Sequence, residues 1–112
     1  MEVVLYSDGR GREPLAEYIA DLRRSGERTP LATLERYIDL LEDNGPDIGM
    51  PMARMIDRER RIYELRVGDH RVAYAEFGGE IVLLHAWRKQ AQKLHRKEAA
   101  TARRRLDGLR GR

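Results

Sequence analysis

The chain has 112 residues, 41% of them hydrophobic and 37% charged, with no cysteine and a formal net charge of +3. That length suits one domain spanning 1–112 around a single core, and the regularly spaced Leu, Ile, Val and Tyr exclude a disordered chain. The absence of cysteine excludes disulfide frameworks, zinc–thiolate sites and cysteine nucleophiles. No apolar run approaches the roughly 18 residues of a membrane span, and the start MEVVLYSDG lacks a signal-peptide pattern, so a cytoplasmic protein with no membrane partner is expected.

In chain order, Val3-Val4-Leu5-Tyr6 reads as a short strand closed by Ser7-Asp8-Gly9. Pro14 opens a helix whose Leu15, Tyr18, Ile19 and Leu22 lie on one face, and Ser25-Gly26 ends it. Thr29 and Pro30 suit the N-cap and first position of a second helix, with Leu31, Leu34, Ile38 and Leu41 as its apolar stripe. Asn44-Gly45-Pro46 stops that helix. Two stripes joined by so short a loop predict an antiparallel helical hairpin whose leucines are core. After a loop over 46–52 come a short strand over 53–56 and an exposed turn over 57–60. Three further strands follow near 61–67, 70–77 and 80–87. Gly68 suits the first central position of a type II′ turn, and Gly78-Gly79 suits either primed turn. Beyond Trp87 the pattern turns helical, with Ala99, Ala102, Leu106 and Leu109 on one face. The expected fold class is α+β: a small antiparallel sheet, the helical hairpin packed on one face, and a basic helix at the C-terminus.

Charge is unevenly spread. Residues 85–112 carry ten Lys/Arg against two acids, while residues 1–84 carry twelve against seventeen. A basic end on an acidic body suits contact with a polyanion. Counting from the Gly68-Asp69 turn pairs Val67 with His70, Arg66 with Arg71, Leu65 with Val72 and Tyr63 with Tyr74. The apolar members then share the core face, and Arg66 and Arg71 share the other. Like charges directly opposite on a sheet cost up to about 1 kcal/mol. Either Glu64 on the same face offsets this internally, or a bound phosphate does, since a guanidinium fork matches phosphate oxygens. The same count through Gly78-Gly79 places Ala86 beside Arg71, His85 beside Val72 and Leu84 beside Ala73. His85 then reads as a hydrogen-bonded core residue, His70 as a solvated turn residue, and His95 as a member of the basic cluster formed by Arg88, Lys89, Lys93, Arg96 and Lys97. The strand over 81–87 is apolar on both faces, which predicts cover on both sides. No pair of histidines has metal-ligand spacing, and neither a phosphate-binding Gly-rich loop nor a triad signature occurs, so no metal or cofactor is expected.

Three segments carry a resemblance: Tyr63-Glu64-Leu65-Arg66, then Arg71-Val72-Ala73-Tyr74, then Ile81-Val82-Leu83-Leu84-His85-Ala86-Trp87-Arg88-Lys89. Together with Glu98 and Ala102 in the following helix and the early segment Gly9–Pro14, they resemble the RelE/HigB-type toxin superfamily of type II toxin–antitoxin systems, in its phage-derived HigB-like branch. The resemblance implies a toxin that enters the 70S ribosome and cleaves mRNA without a metal, restrained by a helix-turn-helix antitoxin encoded in the same operon. It assigns phosphate binding and transition-state charge to Arg66, Arg71 and Lys89, and places Arg54 where the family often has a lysine. Arg88, Lys93, Arg96 and Lys97 would support RNA binding. Gln90, Ala91 and His95 stand where the branch has lysine, threonine and proline, and His95 is the expected general acid or base in place of a family tyrosine. The alternatives are a ParE-like inhibitor of DNA gyrase without nuclease activity and a non-catalytic RNA-binding relative.

Overall fold

The computed structural model of the protein describes residues 1–90 and 96–112. The elements are β1 (Val3–Leu5), α1 (Pro14–Arg24), α2 (Arg28–Asn44), β2 (Ala53–Asp57), β3 (Ile62–Val67), β4 (His70–Phe77), β5 (Glu80–Arg88) and α3 (Arg96–Arg110). They form one open five-stranded sheet in the order β1-β5-β4-β3-β2, with three helices, which is an α+β fold.

Turn chemistry fixes most of this sheet. Gly68 takes φ 58° and Asp69 does not share the positive φ, as a type II′ turn requires. The β3–β4 register then follows as counted, with Arg66 opposite Arg71 and Tyr63 opposite Tyr74. At the next turn both Gly78 and Gly79 have positive φ, the signature of type I′, and Phe77 pairs with Glu80.

The strands have two apolar faces, and each has its own cover. Leu15 of α1 and Leu34 and Leu41 of α2 pack on Tyr63, Leu65, Val67, Val72, Tyr74, Ile81 and Leu83. On the reverse face, Ala102 and Leu106 of α3 pack on Ile62, Ala73, Ala75, Val82, Leu84 and Trp87. The helical pair and the basic helix thus lie on opposite sides, and β5 is covered on both faces as its composition predicts.

Three expectations need correction. First, the sheet is mixed rather than antiparallel, because β1 pairs with β5 in parallel, Val4 opposite Val82. Second, α2 begins at Arg28 with Glu27 as its N-cap residue, and Thr29 makes no cap. The Glu27 side chain is engaged elsewhere, by His70 and Arg88. Third, the β4–β5 register slips by one between Ala73 and Tyr74. Tyr74 faces Leu83, Ala73 faces His85 and Arg71 faces Trp87, so Leu84 is the extra residue of a β-bulge. His85 is therefore not beside Val72.

Candidate functional site

The bulge decides what the α3 side of the sheet presents. Without it, alternation would turn His85 toward the α1–α2 side with Val72. With it, His85 comes to the face that holds Arg71 and Trp87. There its ring stacks on Trp87 at 5.3 Å between centroids. Arg54 of β2, Glu64 and Arg66 of β3, and Arg71 of β4 line the same face. Four strands thus bring three arginines, a glutamate and a histidine together.

Glu64 is the hub. Its carboxylate, 2% exposed, accepts from Arg54 Nε at 3.1 Å and lies 3.9 Å from Arg71 Nε. Arg71 is itself buried, and its Nη1 donates to the carbonyls of Gly68 at 2.7 Å and His70 at 2.9 Å. Burial pulls the Arg71 pKa below its ordinary value, Glu64 opposes that, and the neighbouring Arg66 and Arg54 add to it. The like-charge pair expected at Arg66 and Arg71 is therefore offset internally, through Arg71, while Arg66 stays partly exposed beside it. No carboxylate among the described residues lies within ion-pair distance of Arg66. Arg66 and the half-exposed Arg54 are the cations this face offers to an incoming anion, on a base stiffened by buried Arg71.

His85 has a defined tautomer. Arg105 Nη1, which can only donate, stands 3.3 Å from Nδ1, so Nδ1 accepts. The ring proton then sits on Nε2 and is donated to Glu98 Oε1 at 2.9 Å. Desolvation lowers the His85 pKa, Glu98 raises it, and Arg105 and Arg104 lower it. The net shift is downward, which leaves a neutral ring at pH 7. Arg105 is held in place by a 2.7 Å bond to the Leu84 carbonyl and by the Tyr6 ring beneath its guanidinium.

The remaining residues singled out in the sequence fall elsewhere. Arg88 points to the other side of the sheet, where its Nη2 donates to both carboxylate oxygens of Glu27 at 3.1 and 3.0 Å, away from Arg66 and Arg71. Lys89 is exposed just past β5, and its backbone N–H is fixed to the Asp69 carbonyl at 2.6 Å. That bond holds it at the turn end of the hairpin carrying Arg66 and Arg71. Arg96 and Lys97 are exposed at the start of α3. Lys93 and His95 lie outside the described residues.

His70 corrects the sequence reading outright. It is 3% exposed rather than solvated. Tyr18 Oη lies 2.6 Å from its Nδ1 and Glu27 Oε1 lies 3.1 Å from its Nε2. With Tyr18 donating to Nδ1, the other ring proton goes to Glu27. This chain ties α1, the α1–α2 loop and the β3–β4 turn together beside an open cleft of about 210 Å³. A histidine directly after a Gly-Asp turn gives no sign of its partners 43 and 52 residues away. Glu98 was legible only as a family landmark, since its partner is fixed by the bulge.

Among the described residues, no group of three or more His, Asp or Glu side chains is arranged to hold a metal ion. None of the described helices is long and apolar enough to cross a membrane.

A family model described as "Phage derived protein Gp49-like (DUF891)" matches residues 25–107, a span that holds every residue of the cationic face. No curated protein matches the chain significantly.

Proposed function

Since the chain belongs to the Phage derived protein Gp49-like family, we propose that it is the toxin of a type II toxin–antitoxin system of RelE/HigB type, acting as a ribosome-dependent mRNA endonuclease. The observation that carries this is the α3-side face of the sheet. Arg54, Glu64, Arg66 and Arg71 form a preorganised guanidinium cluster there, with a neutral histidine on the adjacent strand.

The chemistry needs only what a phosphodiester supplies. The ribose 2′-oxygen attacks the adjacent phosphorus, a base takes the 2′-hydroxyl proton, and the bond from phosphorus to the 5′-oxygen breaks. Charge grows on the non-bridging oxygens, and fixed cations are worth most at that point. Arg66 meets that charge directly, Lys89 reaches it from the strand end, and Arg71 holds the local potential from beneath. Arg54 and the exposed Arg96 and Lys97 extend the contact along the RNA backbone, with salt-sensitive binding as the consequence. Lys93 belongs to the same basic run, and His95, near the position of a catalytic tyrosine in RelE-type toxins, is a candidate for proton transfer to the leaving oxygen. The 70S ribosome would supply the aligned mRNA, and a helix-turn-helix antitoxin from the same operon would restrain the toxin.

One observation favours a second reading. Arg71 Nη1 donates to the Gly68 and His70 carbonyls and Nε lies 3.9 Å from Glu64, as in a purely structural arginine. A ParE-like gyrase inhibitor, a binding toxin without nuclease activity, would need no more. Mapping transcript 5′ ends after induction in a bacterial host separates the two. Cuts positioned by codon support the endonuclease, and DNA damage with intact transcripts supports the gyrase inhibitor.

A further inference from the structure

Three features single out His85. The bulge at Leu84 turns it onto the cationic face. Its side chain keeps 17% exposure and that of Glu98 keeps 27%, so the pair lies at the rim of the α3 contact rather than sealed beneath it. Its Nδ1 lone pair meets only the long 3.3 Å contact from Arg105, whose Nη1 is already committed to the Leu84 carbonyl at 2.7 Å. A hydroxyl can replace the weaker contact without unseating Arg105.

We infer, on the endonuclease reading above, that His85 is the general base of the cleavage reaction, with Glu98 as the positioning residue that fixes its tautomer. Nδ1 accepts the proton of the attacking 2′-hydroxyl as the 2′-oxygen bonds to phosphorus. The electron pair of the breaking bond leaves on the 5′-oxygen, which takes a proton from water, and the imidazolium later returns its proton to solvent. The products are a 2′,3′-cyclic phosphate and a 5′-hydroxyl. Glu98, receiving the Nε2 proton at 2.9 Å, stabilises the imidazolium that forms. Arg105, displaced from Nδ1 by one atom's width, faces the phosphate.

Among the described residues, the charged groups facing the ring are Glu98, Arg104 and Arg105, all from α3, and β4 places Ala73 opposite it. The test is the single-turnover cleavage rate of a defined message in a reconstituted 70S translation system, measured against pH with the full-length chain. The expected result is a wild-type rate that falls in acid with a midpoint below the ordinary histidine range. His85→Gln lowers the rate by about 100-fold or more and abolishes that acid limb, while the melting temperature stays within a few degrees. Imidazole added to His85→Ala restores part of the rate, and Glu98→Gln moves the limb to lower pH, because the Glu98 charge normally raises the His85 pKa. If wild type cuts and a folded His85→Gln cuts equally with an unchanged acid limb, the inference is overturned and the endonuclease reading stands. If wild type does not cut at all, both fall.

Discussion

Replacing Glu64 with Gln keeps the shape of the side chain and removes one charge from the centre of the cationic face. Glu64 is 2% exposed and Arg71 6%, so neither is well screened by water. Removing one member of a buried ion pair costs about 3–5 kcal/mol, because the other charge stays buried without compensation. Arg71 keeps its two carbonyl acceptors, Gly68 and His70, which places the cost at the lower end, about 3 kcal/mol. With an unfolding entropy of about 2.1 cal/mol/K per residue, a chain of 112 residues loses roughly 4 °C of Tm per kcal/mol, so a fall of about 12 °C is expected. Thermal unfolding followed by circular dichroism at pH 7 reads this directly. Arg54→Gln is the comparison: that side chain is 53% exposed and Glu64 keeps Arg71 at 3.9 Å, so its loss should cost less than that of Glu64. Glu64→Gln combined with Arg71→Met should recover much of the loss, since no unpaired charge remains. A Glu64→Gln protein melting within about 2 °C of wild type would refute the claim that Glu64 compensates Arg71.

Other consequences are open to simple measurement. Tyr18→Phe leaves buried His70 Nδ1 without its donor and should cost about 1–3 kcal/mol in chemical denaturation, with loosening of the α1–α2 loop seen by amide exchange. Leu65→Ala, at a position with 0% exposure between the sheet and the α1–α2 pair, should cost about 2–5 kcal/mol in the same assay. Burial raises the phenol pKa of Tyr74, which also donates to the Pro46 carbonyl at 2.6 Å, and burial raises that of Tyr18. Spectrophotometric titration should therefore show Tyr74 and Tyr18 ionising late. Because these folded-state pKa values are raised, the stability they contribute is fully present below about pH 10 and is lost as pH rises further. The lowered His85 pKa acts at the other end, with its share of stability lost as pH falls below about 6.5.

Much of the fold was legible because local signals agreed with tertiary ones. Gly68-Asp69 and Gly78-Gly79 carry the backbone freedom that primed turns demand, and they set the register that puts Arg66 opposite Arg71. The stripes through Leu15, Leu34 and Leu41 pointed to a covered face, and that face is the one with Tyr63, Leu65, Val72 and Tyr74. The bulge at Leu84 was not legible. It sits in Ile81-Val82-Leu83-Leu84, where both faces are apolar, so a one-residue slip leaves the hydrophobic pattern intact and no glycine marks it. That single slip also carried His85 from the expected core to the cationic face. The parallel pairing of β1 had no local signature either, since a three-residue strand looks alike in either direction. His70 was misplaced because its side-chain partners, Tyr18 and Glu27, are distant in sequence.

The most direct test of the central claim is the cutting of a defined message by the purified protein, with and without 70S ribosomes. The account predicts cuts that require ribosomes, fall at positions set by the reading frame, leave 5′-hydroxyl ends and disappear in Arg66→Ala. An intact message in the translating system, or cutting by Arg66→Ala at the wild-type rate, would contradict it.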